Sequence, residues 1–105
     1  MSNDSIIIYG YTLQEAIEDG SLVEVCKPHW PRLTGGKPLV ASSAVYEEFS
    51  LAALMEIWNK FVHWSKNVLP TLPEAEQLFT TQMNSKTIWL LEDGAALTIL
   101  FPEDY

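Results

Sequence analysis

The run Lys86-Thr-Ile-Trp-Leu-Leu-Glu-Asp-Gly-Ala-Ala-Leu-Thr-Ile-Leu-Phe-Pro102 sets two apolar segments on either side of Asp93-Gly94. An Asp-Gly pair in that setting is the strongest short-range signal for a β-hairpin, because its turn requires positive φ at both central residues. A two-residue turn there would place Leu91 opposite Ala96, Leu90 opposite Leu97, Trp89 opposite Thr98, Ile88 opposite Ile99 and Thr87 opposite Leu100. One face then carries Ile88, Leu90, Leu97, Ile99 and Phe101, and it must pack on a helix, since an isolated hairpin is not stable in water. The other face carries Thr87, Trp89, Leu91, Ala96, Thr98 and Leu100, which is too apolar for a solvated surface. Its expected cover is the N-terminal helix or strand of the same chain. The functional reading of the same face is a homodimer or partner interface centred on Trp89, a favoured anchor residue, with Leu91, Glu92 and Asp93 beside it.

The helix that meets the hairpin is legible upstream. Leu54, Ile57, Phe61, Trp64 and Val68 recur at three- and four-residue steps, flanked by Trp58 and Val62, while Glu56, Asn59, Lys60 and His63 fall on the outer face. The helical pattern begins at Ala44 behind Ser42 or Ser43 as N-cap, runs to about Asn67, and has a break at Ser50, a second N-cap residue. Earlier, Thr12 and Glu15 form a capping box for a helix from Leu13 to Asp19 that ends at Gly20, and Leu22-Val-Glu-Val25 alternates as a strand does. Residues 27–38 hold Pro28, Pro31, Gly35, Gly36 and Pro38, which predict an irregular loop. Residues 74–83 can be read as helix or strand, and Thr80, Thr81 and the Asn84-Ser85 turn favour a strand from Phe79, giving a three-stranded meander. The sum is one α+β domain over residues 1–105, a helical region packed on a small antiparallel sheet with a C-terminal hairpin.

Composition excludes several functions. With 48% hydrophobic residues in 105, the chain can bury a core without disulfides or metals. Fourteen acidic against six basic residues give a net charge of −8, which repels phosphate backbones and anionic headgroups, so neither direct nucleic-acid binding nor a membrane surface is expected. The lone Cys26 cannot form an intramolecular disulfide, and no signal-like segment opens the chain, which points to the cytoplasm.

Chemical signatures are sparse. Cys26-Lys-Pro-His29 has the spacing of half a zinc site without a second half, and no cofactor is expected. Cys26 with His29 or His63 is a pairing that would suit a small hydrolase. Thr34-Gly-Gly-Lys37 lacks the spacing of a phosphate-binding loop. The acidic pairs Glu18/Asp19, Glu47/Glu48, Glu92/Asp93 and Glu103/Asp104 lie at element ends, where carboxylates are solvated rather than tuned for catalysis. Their spread does suit imitation of a phosphate backbone. His29-Trp30-Pro-Arg32 joins an aromatic ring and a guanidinium beside a rigid proline, a combination suited to partner recognition or, in the plainer reading, to core filling by Trp30.

The stretch Tyr11-Thr-Leu-Gln-Glu-Ala-Ile-Glu-Asp-Gly-Ser-Leu-Val-Glu-Val25 resembles the opening of a small family encoded by bacteria, their phages and plasmids. Val40-Ala-Ser-Ser-Ala-Val-Tyr46 and the strand-turn-strand close with Phe101-Pro-Glu-Asp104 are similar to it too, whereas the middle, around Ser50, is shorter and lacks a long charged insert. The resemblance implies an α+β domain and a mobile-element context, and carries over no activity. The expected function is a non-enzymatic acidic protein-interaction module. An acidic inhibitor of a defence or nucleic-acid-handling complex is the alternative, and a small hydrolase the second.

Overall fold

The computed structural model describes residues 13–73, 77–92 and 95–104, which form an α+β domain built on one five-stranded sheet. The strands are β1 (Leu22–Glu24), β2 (Leu39–Ser42), β3 (Phe79–Met83), β4 (Lys86–Glu92) and β5 (Leu97–Leu100), in the order β1-β2-β5-β4-β3. The helices are α1 (Leu13–Glu18), α2 (Trp30–Leu33), α3 (Ser43–Glu48) and α4 (Leu51–Asn67).

The meander is present: Asn84 and Ser85 turn β3 into β4 with φ of 56° and 67°, and β4 returns antiparallel to β5. The sheet is nevertheless mixed and not purely antiparallel, because β2 pairs with β5 in parallel, Leu39 with Leu97 and Ala41 with Ile99. Leu39, Val40, Ala41 and Ser42 are all buried, as in a central strand covered on both faces. So short a run, without alternation, carries no periodic signal. β2 and β3 point the same way with the helices of residues 43–67 between them, and β5 and β4 fill the gap in the sheet.

The C-terminal pair differs in register from the two-residue turn. Leu90 faces Ile99, Leu91 faces Thr98 and Glu92 faces Leu97, so residues 93–96 connect the strands. The cause is the neighbour on the far side: the Leu97 amide donates to the Pro38 carbonyl at 2.8 Å, fixing β5 against β2. Ala96 is drawn into a small cluster with Ala16, Leu22 and Val40. A slip of two residues keeps every side chain on its face, so the face assignment survives the change. Ile88, Leu90, Leu97, Ile99 and Phe101 all join the main core with Leu54, Ile57, Trp58 and Phe61 of α4.

That core is aromatic at one end. Phe79 meets Phe61 edge-on at 5.6 Å and Trp64 at 5.5 Å, geometries in which ring edges approach ring faces. α4 ends one residue before Val68, which is 38% exposed and not part of the buried stripe. The break at Ser50 is real: its hydroxyl accepts the Ala53 amide at 3.1 Å and begins α4, while the Ser42 hydroxyl accepts the Val45 amide and begins α3. Ser42 also donates to Asp104 at 2.8 Å, tying a helix start to the chain's last described turn. Residues 27–38 are more ordered than their prolines suggest, with a 3-10 turn at Lys27–His29 and α2 after it. Pro28 and Pro31 sit in the first turns of these elements, where no intrahelical amide is needed.

α1 supplies the cover expected over part of the second face: Ala16 is buried against Leu22, Val40 and Ala96, with Leu13 and Ile17 beside them. Gly20, at φ 86°, ends it in a conformation that favours glycine. Its capping residue Thr12, like Asp93 and Gly94, lies outside the described residues. The Thr98 hydroxyl, on the same face, is fully buried without a hydrogen-bond partner among the described residues.

Two stability changes follow. Ser42→Ala removes both a helix cap and the link to Asp104 and lowers stability by about 1–2 kcal/mol. Thr98→Val removes a desolvated hydroxyl and raises it by about 1 kcal/mol. Urea unfolding reads both as midpoint shifts in opposite directions with an unchanged slope.

Candidate functional site

The segment after β1 is organised around Trp30. Val25 extends the β1–β2 ladder by donating its amide to Leu39 at 2.9 Å, and its carbonyl accepts the Trp30 indole N–H at 2.8 Å. The ring is buried in the main core, so the tetrad's aromatic member fills the interior. What the loop shows to solvent is cationic. Lys27, His29 and Arg32 are exposed, Arg32 Nη2 lies 3.3 Å from His29 Nδ1, and Lys27 sits 5.9 Å from the Trp30 ring centroid while bridging Glu24 at 3.4 Å. Lys27, Arg32 and Lys37 are half of the chain's six basic residues, and all 14 acidic residues lie outside 27–37. The surface charge is thus polarised, a basic loop on an acidic body.

Cys26 is half-buried, in a left-handed conformation at φ 55°, with its Sγ directed to Met55 Sδ at 4.0 Å. His29 is engaged with Arg32, and His63 lies on the exposed face of α4 with Asn67 3.3 Å from its Nδ1. The hydrogen bonds of thiol and imidazoles therefore run to other partners and not to each other. Among the described residues no group of three or more His, Cys, Asp and Glu side chains converges as a metal site would require.

The hairpin residues form a different surface. Across the second face, burial falls from strand to strand: Leu22, Val40, Thr98 and Leu100 are buried, Thr87, Trp89 and Leu91 are half-buried, and Thr80 and Gln82 are exposed. Trp89 stands between Thr80 and Leu100 in register. At the strand end Glu92 is exposed and takes a 3.3 Å ion pair from Lys37, which joins the hairpin to the loop after α2. Asp93 lies outside the described residues. A cleft of about 240 Å³ opens beside Glu92 among Phe61, Trp64, Leu78 and Leu90, smaller than the pockets that hold drug-sized ligands.

The structure therefore separates the two groups of candidate residues. His29 and Arg32 lie beyond β1 at one margin of the sheet, and Trp89 and Leu91 lie on β4 toward the other. Burial of Trp30 could not be read from its position among prolines. The uncharged character of β3 is legible in Thr80, Thr81 and Gln82, whereas its alternation between buried Phe79 and exposed Thr80 and Gln82 is set by its place at the sheet's edge.

Because Trp30 holds Val25, replacing it perturbs folding first. Trp30→Phe keeps a ring in the core, loses the bond to Val25 and lowers stability by about 1–3 kcal/mol. Loss of partner binding in that variant should track the folded fraction measured by circular dichroism.

Compared with protein-family models, with curated proteins and with solved structures, the chain matches none.

Proposed function

We propose that the protein is a small, non-enzymatic, cytoplasmic protein-interaction module, of the kind that a phage or plasmid uses to engage another protein. The single observation that supports this most is the graded cover of the sheet's second face. Among the described residues α1 packs over the β1–β2 side, whereas the β4–β3 side keeps Trp89, Leu91 and Thr87 only half-buried beside exposed Thr80 and Gln82. A Trp and a Leu on a rigid strand, surrounded by uncharged hydroxyl and amide side chains, match an interface core with its polar rim. No helix among the described residues is long and apolar enough to cross a membrane.

A second reading, an acidic inhibitor of a nucleic-acid-handling or defence complex, draws support from the charge polarity. With every carboxylate outside the 27–37 loop, the body of the molecule presents a strongly negative field to a cationic partner. The two readings differ in their response to salt, since screening weakens an electrostatic partner and leaves an apolar one largely intact.

The test is affinity capture of the tagged chain from host lysate at low and high salt, with Trp89→Glu and Glu92→Gln variants in parallel. A partner retained at high salt and lost in Trp89→Glu supports the module. A partner lost at high salt and weakened in Glu92→Gln supports acidic mimicry. Capture indifferent to both substitutions removes this surface from consideration, provided the variants keep the wild-type circular dichroism spectrum.

A further inference from the structure

The sheet ends in two edges of opposite character. β1 is three residues long and carries Glu24, bound to Lys27 at 3.4 Å. A short strand with a charge is a common device that keeps an edge from pairing with another chain. Among the described residues β3 stands at the other edge and has none of these protections. Phe79-Thr-Thr-Gln-Met83 is five residues without a charge, a proline or a glycine, in a chain of net charge −8.

The direction of its hydrogen bonding follows from its hairpin. Positive φ at both Asn84 and Ser85 makes a two-residue turn, and the flanking Met83 and Lys86 of such a turn exchange both backbone hydrogen bonds. Phe79, Thr81 and Met83 then address β4, and Thr80 and Gln82 turn their amides and carbonyls outward along the open edge.

We infer that β3 is the seam of a twofold homodimer, in which the β3 strands of two copies pair antiparallel about Thr81 and join the two sheets into one. The inference deepens the interaction-module reading, on which it rests, by naming the partner as a second copy of this chain. The strand is complementary to itself in that register. Phe79 of one copy faces Met83 of the second copy on the helix-covered face, where Phe79 is buried in the core and Met83 packs against it. A thioether beside an aromatic ring is a favourable contact, and it continues the core across the seam. Thr80 faces Gln82 on the opposite face, where both side chains are exposed and able to hydrogen-bond. Each such pair exchanges two backbone hydrogen bonds, and the axis generates a second pair. The neutrality of the strand is what a twofold seam between acidic bodies requires, because no carboxylate is set opposite its own copy. Long-range repulsion between the bodies remains, so added salt tightens this dimer, the reverse of its effect on a partner held by charge.

The experiment is sedimentation equilibrium of the full chain over a concentration series at low and high salt, for the wild type and two double variants. Wild type is expected to dimerise, more tightly at high salt. Thr80→Lys/Gln82→Lys and Thr80→Glu/Gln82→Glu each place like charges opposite one another twice and weaken association about tenfold or more. An equimolar mixture of the two variants recovers a dimer, because every Lys then faces a Glu. Both substituted side chains are exposed, so the variants keep the wild-type circular dichroism spectrum and, at concentrations where the wild type is itself monomeric, its unfolding midpoint. A monomeric wild type up to its solubility limit, an undiminished dimer in the double variants, or no recovery on mixing overturns the inference. A monomer whose Trp89→Glu variant still loses a captured host protein overturns the homodimer alone. A monomer that captures nothing overturns the interaction-module reading with it.

Discussion

The fold depends on the insertion of β5 between β2 and β4. Leu97 and Ile99 enter the main core under α4, Ala96, Thr98 and Leu100 fill the opposite face, and the strand is hydrogen-bonded along both sides. From Ala96 to Phe101 six consecutive residues are buried, the longest such run among the described residues. Full burial of a Leu or Ile side chain contributes about 1.5–3 kcal/mol before entropy is counted. Thr98 is the one polar member, and its buried hydroxyl opposes that gain. Loss of β5 would leave two antiparallel pairs, neither of which has enough neighbours to be stable alone.

Local chemistry wrote much of this arrangement plainly. The Ser42 and Ser50 caps, the α4 stripe from Leu54 to Phe61, the β3 strand and the two faces of the hairpin are set by residues within a few positions of one another. The features that escaped were those decided by distant partners. The parallel pairing of β2 depends on residues almost sixty positions away, and the three apolar residues after Pro38 carry no mark of it. The register of β5 was set by the Pro38 carbonyl and the small Ala96 site, which outweighed the turn preference of Asp93-Gly94. Pro28 and Pro31 locally favour an irregular loop, and they occupy the first turns of helical elements instead.

The candidate surfaces follow the same division. The loop after β1 advertises an aromatic and a guanidinium in four residues, yet the indole is committed to holding Val25 and the core, leaving an exposed rim in which Lys27 and Arg32 carry the charge beside His29. Trp89 and Leu91 gain their importance from a property no single residue carries, the uneven cover of the sheet. β3 gains its importance from its place at the end of the strand order. Side-chain identity alone would rank these positions in nearly the reverse order.

The central position of β5 also bears on how the chain folds. It is the last of the described strands; β4 stands directly before it in the chain, whereas β2 precedes it by several elements. Until it is available, β2 has a partner on one side only and β4 presents an open flank of unpaired amides. Such long-range closure raises contact order and slows folding relative to a helical chain of this size. During synthesis the aromatic α4 and the β3–β4 hairpin leave the ribosome before the strand that completes their shelter. The interval in which apolar strand edges are exposed is therefore built into the topology. The acidity of the chain then takes on a second meaning, as a charge that keeps incomplete sheets on neighbouring nascent chains apart.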